Sequence, residues 1–151
     1  MSRAVIAIHG GAGAISRAAM SAEREQQYRR AVSEIVASGQ AILAAGGSAL
    51  DAVTEAVRLL EECPLFNAGK GSVFTHAGTH ELDASVMDGR TLDVGAVAGV
   101  SHLRNPVLAA RAVLEHSPHV LFTGVGRPEE RRVGQEGRSR WPPHHQKKNN
   151  H

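Results

Sequence analysis

The residues of this chain that could do chemistry are concentrated in two glycine-bearing stretches. The first runs Glu61-Glu62-Cys63-Pro64-Leu65-Phe66-Asn67-Ala68-Gly69-Lys70-Gly71-Ser72-Val73-Phe74. Pro64, Gly69 and Gly71 oblige the backbone to bend and expose carbonyls, although a helix needs only one glycine to stop. Glycine also lets another group come close. The plain reading is a helix-to-strand connector; the sharper one is a loop held in a set shape. The second stretch is His9-Gly10-Gly11-Ala12-Gly13. It suggests a dinucleotide loop, but no third glycine follows at the required spacing, so the fingerprint fails. Its glycines instead let the backbone pass close to another group with its amides available.

Other candidates fall away. Asp83 and Asp88, five apart on a strand and turn, face opposite ways and make no carboxylate pair. Cys63 is the only cysteine, so there is no internal disulfide and no metal-ligand cluster. His144-His145 is too weak a metal signal to assign.

These stretches need elements to position them. Ala4–Ile8 is a continuous apolar run, expected to be a fully buried strand leading into the glycine loop. Ser21 can cap a helix with Glu23 and Glu25 in its first turn, and Tyr28, Val32, Ile35, Val36, Gly39, Ile42 and Leu43 mark its buried stripe. Gly46-Gly47 ends it. Ser48-Ala49-Leu50-Asp51 resembles a capping box that opens a second helix, with a stripe of Leu50, Val53, Val57 and Leu60. The short link predicts antiparallel helices covering one face of a sheet. Strands are expected at Ser72–Thr75, Leu82–Met87 and Val94–Val100, with Asp88-Gly89 a hairpin signal. Asn105 and Pro106 read as N-cap and first residue of a third helix, with Val107, Ala110 and Leu114 inward. The fold class is α+β, with helices outside a sheet.

One domain is the ceiling for 151 residues. The apolar fraction of 42% is enough for a core, but only 3% is aromatic, so packing must be aliphatic and alanine-rich. Residues 1–126 hold ten Lys+Arg against twelve Asp+Glu, a net of −2; residues 127–151 hold seven against three, a net of +4. Helical and strand periodicity both stop after Gly126, where the boundary is expected. Residues 127–151 are polar, basic and proline-bearing, the composition of a disordered tail. Their sequence resembles a translated sequencing adapter and is read as non-native, not as a nucleic-acid arm. The apolar run at the N-terminus is too short for a signal peptide or membrane span, which makes a cytoplasmic setting the expectation.

Leu65-Phe66-Asn67-Ala68-Gly69-Lys70-Gly71-Ser72-Val73-Phe74 resembles the Asn-Ala-Gly-x-Gly segment of the plant-type asparaginases, or isoaspartyl peptidases, a branch of the N-terminal-nucleophile hydrolases. His9–Gly13 resembles that family's opening loop and Glu81–Gly89 its central strand. Gly95–Val100 followed by Arg104-Asn105-Pro106-Val107 completes the order, over roughly residues 3–125.

The resemblance implies the N-terminal half of a four-layer αββα sandwich. It implies hydrolysis of L-asparagine and β-aspartyl dipeptides by a Thr freed through self-cleavage, whose own α-amine is the base. None of the five threonines, Thr54, Thr75, Thr79, Thr91 and Thr123, stands in the family's nucleophile context. Gly78-Thr79 is followed by Glu81-Leu82-Asp83, and Asp93 stands before Val94-Gly95-Ala96-Val97-Ala98 where the Thr would be. This chain is therefore expected to be inactive alone. Asn67, Gly10 and Gly11 would be supporting catalytic groups, Asn67 orienting a hydroxyl or binding an oxyanion rather than merely capping its own turn. His9 is expected to fix the glycine loop by hydrogen bonding. Backbone carbonyls of Leu60, Glu61, Cys63, Phe66, Ala68 and Lys70 match the family's sodium-holding loop, the hard-oxygen ligands such a cation prefers; no organic cofactor is implied. The implied partners are small-molecule substrates, a second subunit and a homo-oligomer of processed heterodimers, with no membrane and no nucleic acid. The alternatives are a non-catalytic binding module with a basic nucleic-acid-binding tail, or a glycosylasparaginase- or taspase-type relative.

Overall fold

The computed structural model of the chain describes residues 4–12 and 20–124. Helix α1 spans Ala22–Ala44 and begins where Ser21, in extended conformation, accepts a hydrogen bond from the Arg24 amide. The anticipated stripe is its buried side: Ile35 and Gly39 are buried, and Tyr28, Val32, Val36, Ile42 and Leu43 half-buried. It ends in a Schellman turn. Gly46 takes φ +84° and donates to the Leu43 carbonyl, while Gly47 donates to Ile42. Helix α2, Ala49–Glu62, opens with a true capping box, Ser48 and Asp51 each bonding the other's backbone amide. Its buried face is Ala52, Thr54, Ala56 and Glu61, whereas Val53 is 39% exposed. Ala56 packs in one buried cluster with Ile35 of α1, and a Cβ on Gly39 would strike Ile6 Cδ1 before reaching the Ala52 carbonyl at 3.4 Å.

Strands β1, Leu82–Met87, and β2, Val94–Val100, fall where expected and pair antiparallel. Asp88 does close the connecting loop, donating its amide to the Asp93 carbonyl and accepting from Leu92. The left-handed residue there is Leu92, φ +63°, not Gly89. Helix α3, Pro106–His116, carries the chain to β3, Leu121–Thr123, which lies parallel to β2 in a sheet of order β1-β2-β3. The architecture is mixed helix and sheet. Gly95 is what lets α3 lie on β2, since a Cβ there would strike the Ala110 carbonyl and the Leu114 amide.

Three expectations are corrected. Ala4–Ile8 is neither a paired strand nor fully buried: Val5 is 83% exposed, and only Ile6 and Ile8 pack inward, against the α1–α2 cluster. An apolar run becomes a strand only where another backbone pairs with it, and none does among the described residues. Ser72–Thr75 is likewise no strand but the entry to a closed loop, in which the Thr75 amide donates to the Thr79 carbonyl at 2.7 Å. It is α3, not the α1–α2 pair, that covers the sheet. Val86, Val97, Ala110 and Val113 form that core, whereas Ile35, Ala56 and Phe66 form a second one beneath α1 and α2.

Candidate functional site

Both glycine-bearing stretches meet. His9, Gly10, Gly11 and Ala12 line one cleft of about 420 Å³ with Tyr28, Leu60, Leu65, Phe66, Asn67 and Ala68. Gly10 makes the approach possible, because a Cβ at this position would lie 3.0 Å from the Phe66 ring. Gly11 takes φ +117° and donates its amide to His9 Nδ1 at 3.1 Å. His9 thus fixes the turn as anticipated, through a bond only two residues long. Gly13 lies outside the described residues. Phe66 is buried and meets Tyr28 edge-to-face at 5.9 Å. Tyr28, read from sequence as a stripe residue only, also lines the cleft. Its period along α1 was visible, but its place beside a loop far along the chain had no local signal.

Asn67 is exposed in this cleft, and its Oδ1 accepts from the Val73 amide at 3.0 Å. The side chain therefore braces its own loop through its oxygen. Its two amide hydrogens are the chemically useful end, able to donate to an oxyanion or a hydroxyl.

The loop between α2 and β1 is a succession of tight turns. The Leu60 carbonyl accepts from Cys63, Cys63 from Phe66, Phe66 from Ala68, and Ala68 from Gly71. Gly69, at φ +49°, lies against the last turn of α2, where a Cβ would come 2.5 Å from the Glu61 carbonyl. A Cβ on Gly71 would run into the Phe66 carbonyl and come 2.9 Å from that of Pro64. The Glu61 carbonyl thus lies against Gly69, and the Pro64 and Phe66 carbonyls against Gly71, each in space that only a glycine leaves open. A cradle of neutral oxygens suits a hard cation, and each carbonyl already accepting one bond keeps a second lone pair. Of the six anticipated carbonyls, that of Glu61 lies against Gly69 and that of Phe66 against Gly71, while those of Leu60, Cys63, Phe66 and Ala68 accept backbone hydrogen bonds. Among the described residues no group of three or more His, Cys, Asp or Glu side chains could hold a metal.

Glu61 is 4% exposed, at the end of α2. Its Oε1 accepts from the Val107 amide at 2.9 Å, and its Oε2 is buried without a partner. Burial pushes its carboxyl above the ordinary range, opposed by the Val107 amide and the nearby Asn105 side chain. Asn105 precedes α3 as anticipated but makes no side-chain cap bond; Glu61 caps that helix instead. Nearby, Ser72 Oγ lies 3.0 Å from His80 Nδ1, and the His80 ring packs on Phe74 at 4.3 Å.

The remaining candidates have structural duties. Asp83 accepts from the Gly99 amide at 2.7 Å, bracing a bulge in β2 where Gly99 takes φ +64°. Asp88 accepts from the Arg90 amide. Thr54 is buried in α2 and receives Arg111; Thr75 and Thr79 bond each other at 2.8 Å; Thr91 accepts from the Asp93 amide; Thr123 lies in β3. The basic residues 127–151 and the His144-His145 pair lie outside the described residues. No helix among the described residues is long and apolar enough to cross a membrane.

The chain is 72% identical over 126 residues to the isoaspartyl peptidase of Salmonella typhimurium, a match covering 83% of this chain and 40% of that protein. It is 72% identical to the isoaspartyl peptidase of Escherichia coli, covering 83% and 39%. With the plant-type L-asparaginase of Pyrococcus furiosus it shares 50% identity over 121 residues, covering 80% and 38%. The chain thus spans about 40% of the length of the curated relatives it matches. The profile of the family described as Asparaginase matches residues 2–132, past the expected boundary at Gly126. A cleft in which a glycine loop meets an Asn-Ala-Gly-Lys-Gly turn is thus found in a chain that belongs to the asparaginase family.

Proposed function

We propose that this chain carries the supporting half of an amidohydrolase site that, in the complete enzyme, hydrolyses L-asparagine and β-aspartyl dipeptides. The observation that carries the reading is the shared cleft, in which Gly10 packs on Phe66 and brings the His9–Ala12 backbone beside Asn67. Water would add across a side-chain amide, the amine leaving protonated and the carboxylate remaining. Such a reaction needs a nucleophile, a base and donors for the oxyanion. The Asn67 amide hydrogens and the turn at Gly10 and Gly11 suit the donor and positioning roles. The nucleophile would be a Thr with a free α-amine from a second subunit; Thr79, whose amide lies 3.3 Å from Thr75 Oγ1 within a closed turn, is no substitute.

The finer parts of the reading are a four-layer αββα sandwich completed by that second subunit, and a homo-oligomer of processed heterodimers acting on small molecules in the cytoplasm without nucleic acid. A sodium ion in the carbonyl loop belongs to the same reading, since neutral backbone oxygens are ligands that such a hard cation takes. Glu61, Phe66 and the adjoining Leu60, Cys63, Ala68 and Lys70 carbonyls would hold it, and its bound charge would set the loop shape that presents Asn67.

The chain alone is expected to release no ammonia from L-asparagine and no leucine from β-aspartyl-leucine. Activity should appear when a Thr-initiated second subunit is co-expressed. Turnover above a buffer blank by the chain alone, or a self-cleavage before Thr79 seen by mass spectrometry, would overturn the proposal.

A further inference from the structure

We infer that Glu61 is a positioning residue whose side chain ties the carbonyl loop and Asn67 to the N-terminus of α3. The inference rests on the reading above, that this loop supports the site.

Glu61 sits at the wrong end of its own helix for a carboxylate, since the last turn of α2 presents unpaired carbonyls and negative potential. The placement makes sense from the other side. The first turn of α3 presents unpaired amides and positive potential, and Asn105 leaves them without a side-chain cap. Glu61 Oε1 takes the Val107 amide at 2.9 Å, across 46 residues of sequence. Arg104 and Glu62 add an outer tie between the same two segments at 2.7 and 2.8 Å.

The other side of Glu61 is the floor of the loop. A Cβ on Gly69 would lie 2.5, 2.7 and 2.8 Å from the Glu61 carbonyl oxygen, Cβ and Cα. Gly69 therefore rests directly on this residue. Glu61 and Asn67 also line one cavity with Ala68, Gly69, Asp83 and Pro106 among its walls. The atoms under Gly69 are the main chain and Cβ of Glu61, so the bond from Oε1 to Val107 acts on the turn by holding the end of α2 against α3. Loss of that bond would loosen the last turn of α2 and, with it, the surface on which Gly69 and then Asn67 are carried.

Three substitutions in the full chain separate the roles. Glu61→Gln keeps an oxygen acceptor for Val107; Glu61→Met keeps the bulk without the acceptor; Glu61→Ala loses both. Amide exchange is read by mass spectrometry at Val107 and at the hydrogen-bonded loop amides of Ala68, Gly71 and Ser72, in sodium and in choline chloride. Glu61→Met and Glu61→Ala should speed exchange at Val107 and the loop together, by about fivefold, the factor for one hydrogen bond of ordinary strength. Glu61→Gln should stay near wild type, and sodium should protect the loop of Glu61→Met less than that of wild type.

Loop exchange unchanged in Glu61→Met while Val107 speeds up would reduce Glu61 to a helix cap and overturn the inference. So would a Glu61→Met chain that behaves like Glu61→Gln, because bulk alone would then suffice. If sodium protects nothing in the wild type, the cation reading fails by itself. The paired response of Val107 and the loop would still decide the role of Glu61.

Discussion

At the scale of single residues, backbone shape outranks side-chain charge in the candidate site. Gly69 holds φ +49° against the Glu61 carbonyl, whereas the Lys70 side chain is exposed. Gly69→Val adds a β-branched side chain where left-handed angles alone cost about 1–3 kcal/mol, before the clash is counted. Lys70→Ala should lie within about 0.5 kcal/mol of wild type, as surface changes do. Thermal melting in sodium chloride and in choline chloride checks both statements. Sodium should raise the wild-type and Lys70→Ala midpoints and leave Gly69→Val unmoved. Equal melting in the two salts for the wild type would remove the metal role. Much of this was readable from sequence, because a glycine in a turn is a local statement about φ. The contact of Gly10 with Phe66 and the bond from Glu61 to Val107 were not readable. Each joins residues distant in the chain, and neither a glycine nor a glutamate announces what it will face.

At the scale of elements, helix ends were legible and lone strands were not. Ser21, Ser48 with Asp51, and Gly46 act within four residues of themselves, so their types suffice. The β1–β2 hairpin was legible because its two runs are close neighbours in sequence. Ala4–Ile8 and Ser72–Thr75 have strand composition, but their state depends on a pairing partner. The three-residue β3 is too short to show any period. One tie between elements makes a pH prediction. Arg111 of α3 reaches Asp51 at 3.0 Å and Thr54 at 3.3 Å, both on α2. The Ser48 hydroxyl, and then Arg111, hold the Asp51 carboxyl below its ordinary value of 3.8. A carboxyl depressed in the folded state stabilises the fold above its unfolded pKa, and that contribution is lost as pH falls through the folded one. Asp51→Asn should therefore lower the melting temperature at neutral pH and flatten its decline below pH 3.8. Glu55 and Glu62 are depressed as well, so it is the difference between variant and wild type that isolates Asp51. Parallel melting curves across this range would refute the role of Asp51.

At the scale of the molecule, a considerable apolar surface faces outward. Val73 and Phe74 are 66% and 69% exposed, and Val120, Leu121 and Phe122 are between 48% and 62%. Both edges of the sheet, β1 and β3, are unpaired among the described residues. Exposed edges and apolar patches invite association. The chain alone should bind an apolar fluorescent dye and elute as more than a monomer in size-exclusion chromatography. A dye-negative monomer would show that these surfaces are self-sufficient.

The division of the interior into two clusters has a consequence for cooperativity. Ile35, Ala56 and Phe66 belong to one, and Val86, Val97, Ala110 and Val113 to the other. Helix α2 is the wall they share, giving Ala56, Leu59 and Leu60 to the first and Leu50 to the second. Most ties between the halves, Glu61 to Val107 and Arg111 to Asp51 and Thr54, begin or end on that helix. A protein so divided need not melt as one unit. The van't Hoff enthalpy from the α3–sheet half should fall short of the calorimetric enthalpy of the whole. Weakening the shared wall with Arg111→Ala should widen that gap. Equality of the two enthalpies in both proteins would mean that one helix suffices to make two cores melt as one.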